Sequence, residues 1–159
     1  MLSSGMPAPD FEALDDRGLP FRLSALRGQW VVLYFYPKDN TPGCTREACA
    51  FRDVYATLAQ RGAMVVGISP DSVRSHQRFK ERYQLPFVLI SDPGGHIAQQ
   101  YGVWRVRQLY GRPSAGVVRT TFIIDPDGII RAVFPEVRVD GHAEEVLQRL
   151  IALQQHSQA

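Results

Sequence analysis

Both cysteines of the chain fall in one segment, Pro37-Lys-Asp-Asn-Thr-Pro-Gly-Cys-Thr-Arg-Glu-Ala-Cys49. In a reducing compartment such a pair is inert filling, a pair of metal ligands or a redox centre. The local sequence bears on that choice. Thr41 is a good helix N-cap and Pro42 suits the first helical position, so Cys44 falls in the first turn of a helix. Backbone N–H groups there lack intrahelical acceptors and the helix dipole is positive, which favours a thiolate. The segment also follows the carboxyl end of a buried strand, where open α/β sheets place ligands.

A stabilised thiolate alone does not give fast chemistry. A free thiol of pKa near 8.5 is about 3% thiolate at pH 7. Lowering that pKa by about three units gains roughly thirtyfold in thiolate and loses roughly twentyfold in nucleophilicity, for a Brønsted slope of about 0.4–0.5. The two effects nearly cancel. Cleavage of an O–O bond by sulfur therefore needs fixed donors for the charge that moves onto oxygen. The candidates are the Thr41 hydroxyl, three residues before Cys44, and the N–H groups of Gly43 and Cys44. The candidate cation is Arg119, which opens a predicted buried strand, an unusual place for a charge that does not point into a site.

Cys44 and Cys49 are five residues apart, on different faces of one helix, with Cα atoms about 8–9 Å apart. A disulfide requires less than about 7 Å. A bridge between them demands that the first turns unwind.

Other chemistries fit less well. Cys-x4-Cys is not a standard zinc spacing, and His76, His96, His142 and His156 are scattered and expected at the surface. No metal or cofactor is expected. The absence of Cys-x-x-Cys argues against a thioredoxin-like disulfide oxidoreductase. The glycines form no phosphate loop. A non-enzymatic redox sensor, read out through the unwinding, is the competing class.

The elements that must position these residues are legible as pattern. Val31–Tyr36, Met64–Ile68 and Phe87–Ile90 are short apolar runs and read as buried strands. Ala48, Phe51, Val54, Tyr55 and Leu58 recur at helical spacing, closed by Gly62. Ser69–Ser72 starts a second helix, with Phe79 and Tyr83 on one face. His96–Tyr101 reads as a short helix. Everything before Gly28 is expected to be loop-rich, and Trp104–Gly116 an irregular excursion. Thr120–Ile124 and Ile129–Phe134 flank Asp-Pro-Asp-Gly and read as a hairpin. Ala143, Val146, Leu147, Leu150 and Ile151 form one face of a last helix. Strand–helix alternation followed by a hairpin predicts an α/β fold with a central mixed sheet flanked by helices, the thioredoxin-like arrangement.

The chain has 159 residues, 45% of them hydrophobic and 21% charged. It is expected to form one domain over residues 1–159. A net charge of +2 argues for neither nucleic acid nor a membrane as partner. There is no stretch of transmembrane length and no secretory pattern at the start, so the expected location is cytoplasmic.

Pro37, Thr41 and Cys44 match the peroxiredoxin signature of Pro, three residues, Thr or Ser, two residues, Cys. Val31 through Asp53, "VVLYFYPKDNTPGCTREACAFRD", resembles the bacterioferritin comigratory protein/peroxiredoxin Q subfamily, as do "YGVW" and "RTTFIIDPDGII" further on. The resemblance implies a hydroperoxide reductase. Cys44 would be the peroxidatic cysteine and Cys49 the resolving one, joined as an intramolecular disulfide. Thr41 would contact the peroxide, Arg119 would stabilise thiolate and transition state, Pro37 would shield the pocket and Glu47 would orient Arg119. It further implies re-reduction by thioredoxin, in some members glutaredoxin, and a monomer. No resolving cysteine lies near the end of the chain, unlike in typical two-cysteine peroxiredoxins.

Overall fold

A computed structural model describes residues 2–157. The apolar runs form strands and the spaced apolar residues form helices. In chain order the elements are β1 (Glu12–Leu14), β2 (Pro20–Arg22), β3 (Trp30–Phe35), α1 (Pro42–Gln60), β4 (Ala63–Ser69), α2 (Val73–Tyr83), β5 (Val88–Ser91), α3 (His96–Gln100), β6 (Trp104–Leu109), β7 (Arg112–Val117), β8 (Thr120–Ile124), β9 (Ile130–Phe134) and α4 (His142–Ser157). The main sheet has the order β5-β4-β3-β8-β9. β3, β4 and β5 run parallel, β8 is antiparallel to β3, and β9 is antiparallel to β8. This is the mixed sheet of a thioredoxin-like fold.

β3 sits in the middle and is buried along its length. Side chains alternate across a strand, so Val32, Tyr34 and Tyr36 enter one core and Val31, Leu33 and Phe35 the other. The first core is covered by α1, α2 and α4 through Ala48, Phe51, Phe79, Val146 and Leu150. The second is covered by α3 and the N-terminal segment through Ile97, Ala98, Phe11 and Leu23.

One expectation needs correction. Trp104–Gly116 is not irregular: β6 and β7 pair as an antiparallel ribbon from Trp104↔Val117 to Leu109↔Arg112. Its turn places Tyr110 at φ 53° and Gly111 at φ 74°. A tyrosine in the left-handed region is not a turn signal, and Arg112–Ala115 is exposed, so no apolar alternation marks the strands. The region before Gly28 is loop-rich as expected and adds one short hairpin, β1–β2.

Tyr34 reaches its place because residue 67 has no side chain. A Cβ on Gly67 would lie 2.9 Å from Tyr34 Cζ and 3.0 Å from Leu89 Cδ2. Gly67→Ala is expected to lower stability by about 1–3 kcal/mol through overpacking, read from the urea midpoint. An unchanged midpoint would show that the layer between β4 and α1 has slack.

Candidate active site

The site is assembled by strand register. The end of β3 pairs with the start of β8, Phe35 against Thr120. The residue leaving one strand therefore lies beside the residue entering the other. β3 runs into the loop Pro37–Thr41 and then α1; Arg119 stands just ahead of β8. Residues 75 positions apart thus meet at one end of the sheet.

Thr41 occupies the N-cap position of α1, with Pro42 at the start of the helix. Its carbonyl accepts the Thr45 N–H at 2.9 Å. Its hydroxyl does not cap the helix but donates to the Lys38 carbonyl at 2.8 Å. The N–H groups of Gly43 and Cys44, in the orphan positions of the first turn, are left without a side-chain acceptor.

Cys44 is buried and Cys49 half-buried, both as free thiols, in an unbroken helix. Arg119 Nη2 donates to Cys44 Sγ at 3.3 Å. Arg119 Nη1 donates to Glu47 Oε1 at 2.5 Å. The guanidinium is thus shared between sulfur and carboxylate, one edge for each. Gly43 leaves it room: an added Cβ there would lie 3.3 Å from Arg119 Nη2, a tight contact. Arg119 also lines an open groove of about 480 Å³ with Pro37, Val117, Val118, Glu136 and Val137. The groove thus ends on the guanidinium that bonds the buried Cys44 sulfur.

Burial governs the electrostatics. It pushes the Glu47 carboxyl up to about 7, against the pull of Arg119. Burial would lower Arg119, but Glu47 and Cys44 outweigh it and hold the guanidinium's pKa above its ordinary value. Tyr34, beneath α1, is raised well above a phenol's usual range by burial first and then by Glu47. Tyr34 Oη and Glu47 Oε2 are the two buried side-chain polar atoms without a hydrogen-bond partner among the described residues.

The structure brings Cys44, Gly43, Glu47 and Arg119 into contact, with Thr41 and Pro37 on the adjoining loop; Cys49 lies farther along α1. The expectation of surface histidines holds for His96 and His156 and fails for His76 and His142, both buried. His142 Nε2 bonds the Thr121 hydroxyl at 2.8 Å, and its ring stands edge-on to Phe51 and Phe134. Burial, then Arg119, holds its pKa down at about 4. His76 gathers with Asp39 and Asp71; its two nitrogens, both Asp39 oxygens and Asp71 Oδ2 are engaged by protein groups. No local pattern marks these partners, which come from different elements.

Residues 4–133 match the AhpC/TSA family. The chain is 51% identical over 146 residues to a putative peroxiredoxin bcp of Coxiella burnetii, covering 92% of this chain and 97% of that protein. It is 43% identical to peroxiredoxin Bcp of Bacillus subtilis, covering 92% and 93%. This chain belongs to the AhpC/TSA family, in its Bcp/peroxiredoxin Q branch. Among solved structures it superposes on the Xanthomonas campestris bacterioferritin comigratory protein with a TM-score of 0.89 at 34% identity, covering 94% of this chain and 98% of that one. As a peroxiredoxin it is a peroxidase working on peroxide with a thiol reductant.

The raised Glu47 carboxyl has a signature in stability. Its folded pKa lies above its unfolded value, so the folded protein binds more protons between about pH 4.5 and pH 7. The contribution is complete below that window and lost as pH rises through it. His142 has the opposite sign: its depressed folded pKa gives a contribution present above about pH 6.5 and lost as pH falls. The Glu47 effect is therefore read as a difference. Wild-type stability relative to Glu47→Gln should fall by on the order of 3 kcal/mol from pH 4.5 to pH 7, measured by urea unfolding. A constant difference would show that the carboxyl is not raised.

Proposed function

We propose that this peroxiredoxin reduces hydrogen peroxide and organic hydroperoxides through a Cys44 sulfenic acid and a Cys44–Cys49 disulfide, recycled by thioredoxin. The observation that carries the reading is the Arg119 guanidinium, 3.3 Å from Cys44 Sγ and anchored on buried Glu47. The relative named above from Xanthomonas campestris is described as having alkyl peroxide reduction activity.

The Cys44 thiolate attacks the terminal oxygen of the hydroperoxide. An S–O bond forms as the O–O bond breaks; the departing alkoxide takes a proton and leaves as alcohol, or as water from hydrogen peroxide. The Thr41 hydroxyl already donates to Lys38, so its lone pairs are free to accept the peroxide O–H. Arg119 and the Gly43 and Cys44 N–H groups stabilise charge on the oxygens. Pro37 closes one wall and keeps water from competing. The Cys49 thiol then displaces hydroxide from Cys44–SOH, giving a disulfide and water. α1 must unwind for this, since helix geometry holds the two Cα atoms about 8–9 Å apart. A dithiol reductant of the thioredoxin type, or a glutaredoxin, restores both thiols. The enzyme works as a monomer of one domain, in the cytoplasm, with neither metal nor cofactor.

Cys44→Ser should abolish turnover. Cys49→Ser should keep the first oxidation and lose thioredoxin-driven cycling, followed as NADPH consumption in a coupled assay. Arg119→Met should slow the first step by about 10²–10³-fold, the size expected for one transition-state donor. Full peroxide turnover in Cys44→Ser would end this assignment.

A further inference from the structure

The loop that leads to Cys44 is tied down at a single residue. Asp39 is buried, two positions after Pro37 and two before Thr41. Its Oδ1 accepts the Tyr36 hydroxyl at 2.6 Å. Its Oδ2 accepts the Ser75 hydroxyl at 2.8 Å and is hydrogen-bonded with His76 Nδ1 at 2.7 Å. Its own N–H donates to Asp71 Oδ2 at 2.8 Å, an oxygen that also accepts the Ser69 hydroxyl. His76 has no exposed surface, and its Nε2 donates to the Ile90 carbonyl at 2.9 Å. Through one aspartate the loop is thus bonded to the exit of β3, the β4–α2 connection, α2 and, by way of His76, β5.

Beyond Asp39 the next side-chain ties to another element, among the described residues, are those of Cys44 and Glu47 to Arg119. Asn40 is exposed and adopts φ 62°, a conformation Asn tolerates better than most residues. Thr41 bonds only locally, to Lys38 and to the first turn of α1, and that turn has no side-chain cap. A densely bonded residue and an uncapped helix start are separated by one hinge-like position.

Stability alone is a poor account of such a pair. A buried charged or polar pair contributes little relative to apolar packing of the same volume, because desolvation offsets the attraction. What it does provide is a fixed position, since each donor and acceptor has one geometry. The five residues after the clamp carry the groups that must be accurately placed around a peroxide.

We propose that Asp39 and His76 are positioning residues for the peroxide step, clamping the loop ahead of Cys44 and marking the point where unwinding of α1 stops. This rests on the reading of Cys44 as nucleophile. Two steps then respond differently to a loosened clamp. Attack on peroxide needs Thr41, Gly43 and Cys44 in register with Arg119, and small misplacements cost large factors. Disulfide closure needs the same segment to leave the site, and a loose clamp does not hinder it.

Side-chain stereochemistry supplies a discriminating pair of variants. His76→Asn keeps an N–H near the place of Nδ1, facing Asp39, and loses the bond to Ile90. His76→Gln keeps one near the place of Nε2, facing Ile90, and loses the bond to Asp39. Stopped-flow fluorescence with hydrogen peroxide on the reduced protein separates Cys44 oxidation from disulfide closure. His76→Gln should slow oxidation at least tenfold with closure unchanged or faster, while His76→Asn stays within about threefold of wild type in both. Equal losses in the two variants, or closure slowed as much as oxidation, would overturn the proposal and reduce His76 to core packing. A measurement on the wild type covers variants that do not fold. After oxidation of the thiols by diamide, which needs no peroxide chemistry, the Asp39 amide should keep its hydrogen-exchange protection while amides 45–49 lose theirs. Loss of protection at Asp39 would place the boundary elsewhere and overturn the clamp. Inertness of the reduced wild type toward peroxide would instead remove the peroxidase reading, and the positioning role with it, while leaving the exchange boundary intact.

Discussion

One guanidinium holds two acidic groups at once, and the geometry of the site follows from it. Arg119 presents a planar fork whose two outer nitrogens point in fixed directions. Nη1 is taken by Glu47 and Nη2 by Cys44. Because Glu47 is itself buried, the carboxylate cannot drift, and the fork inherits its orientation. A lysine at the same place would be a point charge with no preferred plane. The cost is a carboxyl taken out of water, visible in its raised pKa and in an Oε2 with no partner. Structures retain such strain where the arrangement is used, and it is the electropositive edge facing the sulfur that is gained.

The rest of the fold can be read as what brings that fork to the thiol. The antiparallel pairing of β3 with β8 is the one connection in the sheet that places Arg119 next to the loop feeding α1. Parallel pairing would have put the start of β8 at the far end of β3. The terminal hairpin therefore places Arg119 beside the thiol as well as adding to the sheet. α4 closes the same side: Val146 and Leu150 share a core with Ala48 and Phe51, so the inner face of α1 stays packed beyond its first turn.

How much of this was legible in the sequence depended on whether the signal was local. Cys44 at a helix start is set by Thr41, Pro42 and their neighbours, and so could be read directly. Arg119 was legible for a different reason: a charge opening an apolar strand is anomalous, and anomalies of that kind point inward. His76 and His142 offered no such anomaly. Each sits in an ordinary polar context, and each is buried because its ring nitrogens find partners from other elements, Asp39 and Ile90 in one case and Thr121 in the other. Pairing of that kind is a property of the folded chain. The β6–β7 ribbon was missed because half of it is solvated and its turn uses Tyr110 where a glycine or asparagine would have been recognisable.

Under the proposed mechanism α1 must both hold a site and come apart, and the residues divide these opposing demands by position. Beyond Cys49, α1 is held by Phe51 and Leu58 in the core. In the first turn the usual cap is missing, a difference typically of about 1 kcal/mol for one helix end. The same omission leaves N–H groups free for an anion, so binding at the helix start and fragility of that start have one cause. Under the proposed mechanism the two are used in sequence. While sulfur carries negative charge, Arg119 and the open N–H groups favour the folded turn; once the sulfur is a neutral sulfenic acid, that part of the preference is gone, and the Glu47–Arg119 pair and the buried face of the turn remain to oppose unwinding. The chemical step itself thereby lowers the barrier to the conformational one, and no separate trigger is required.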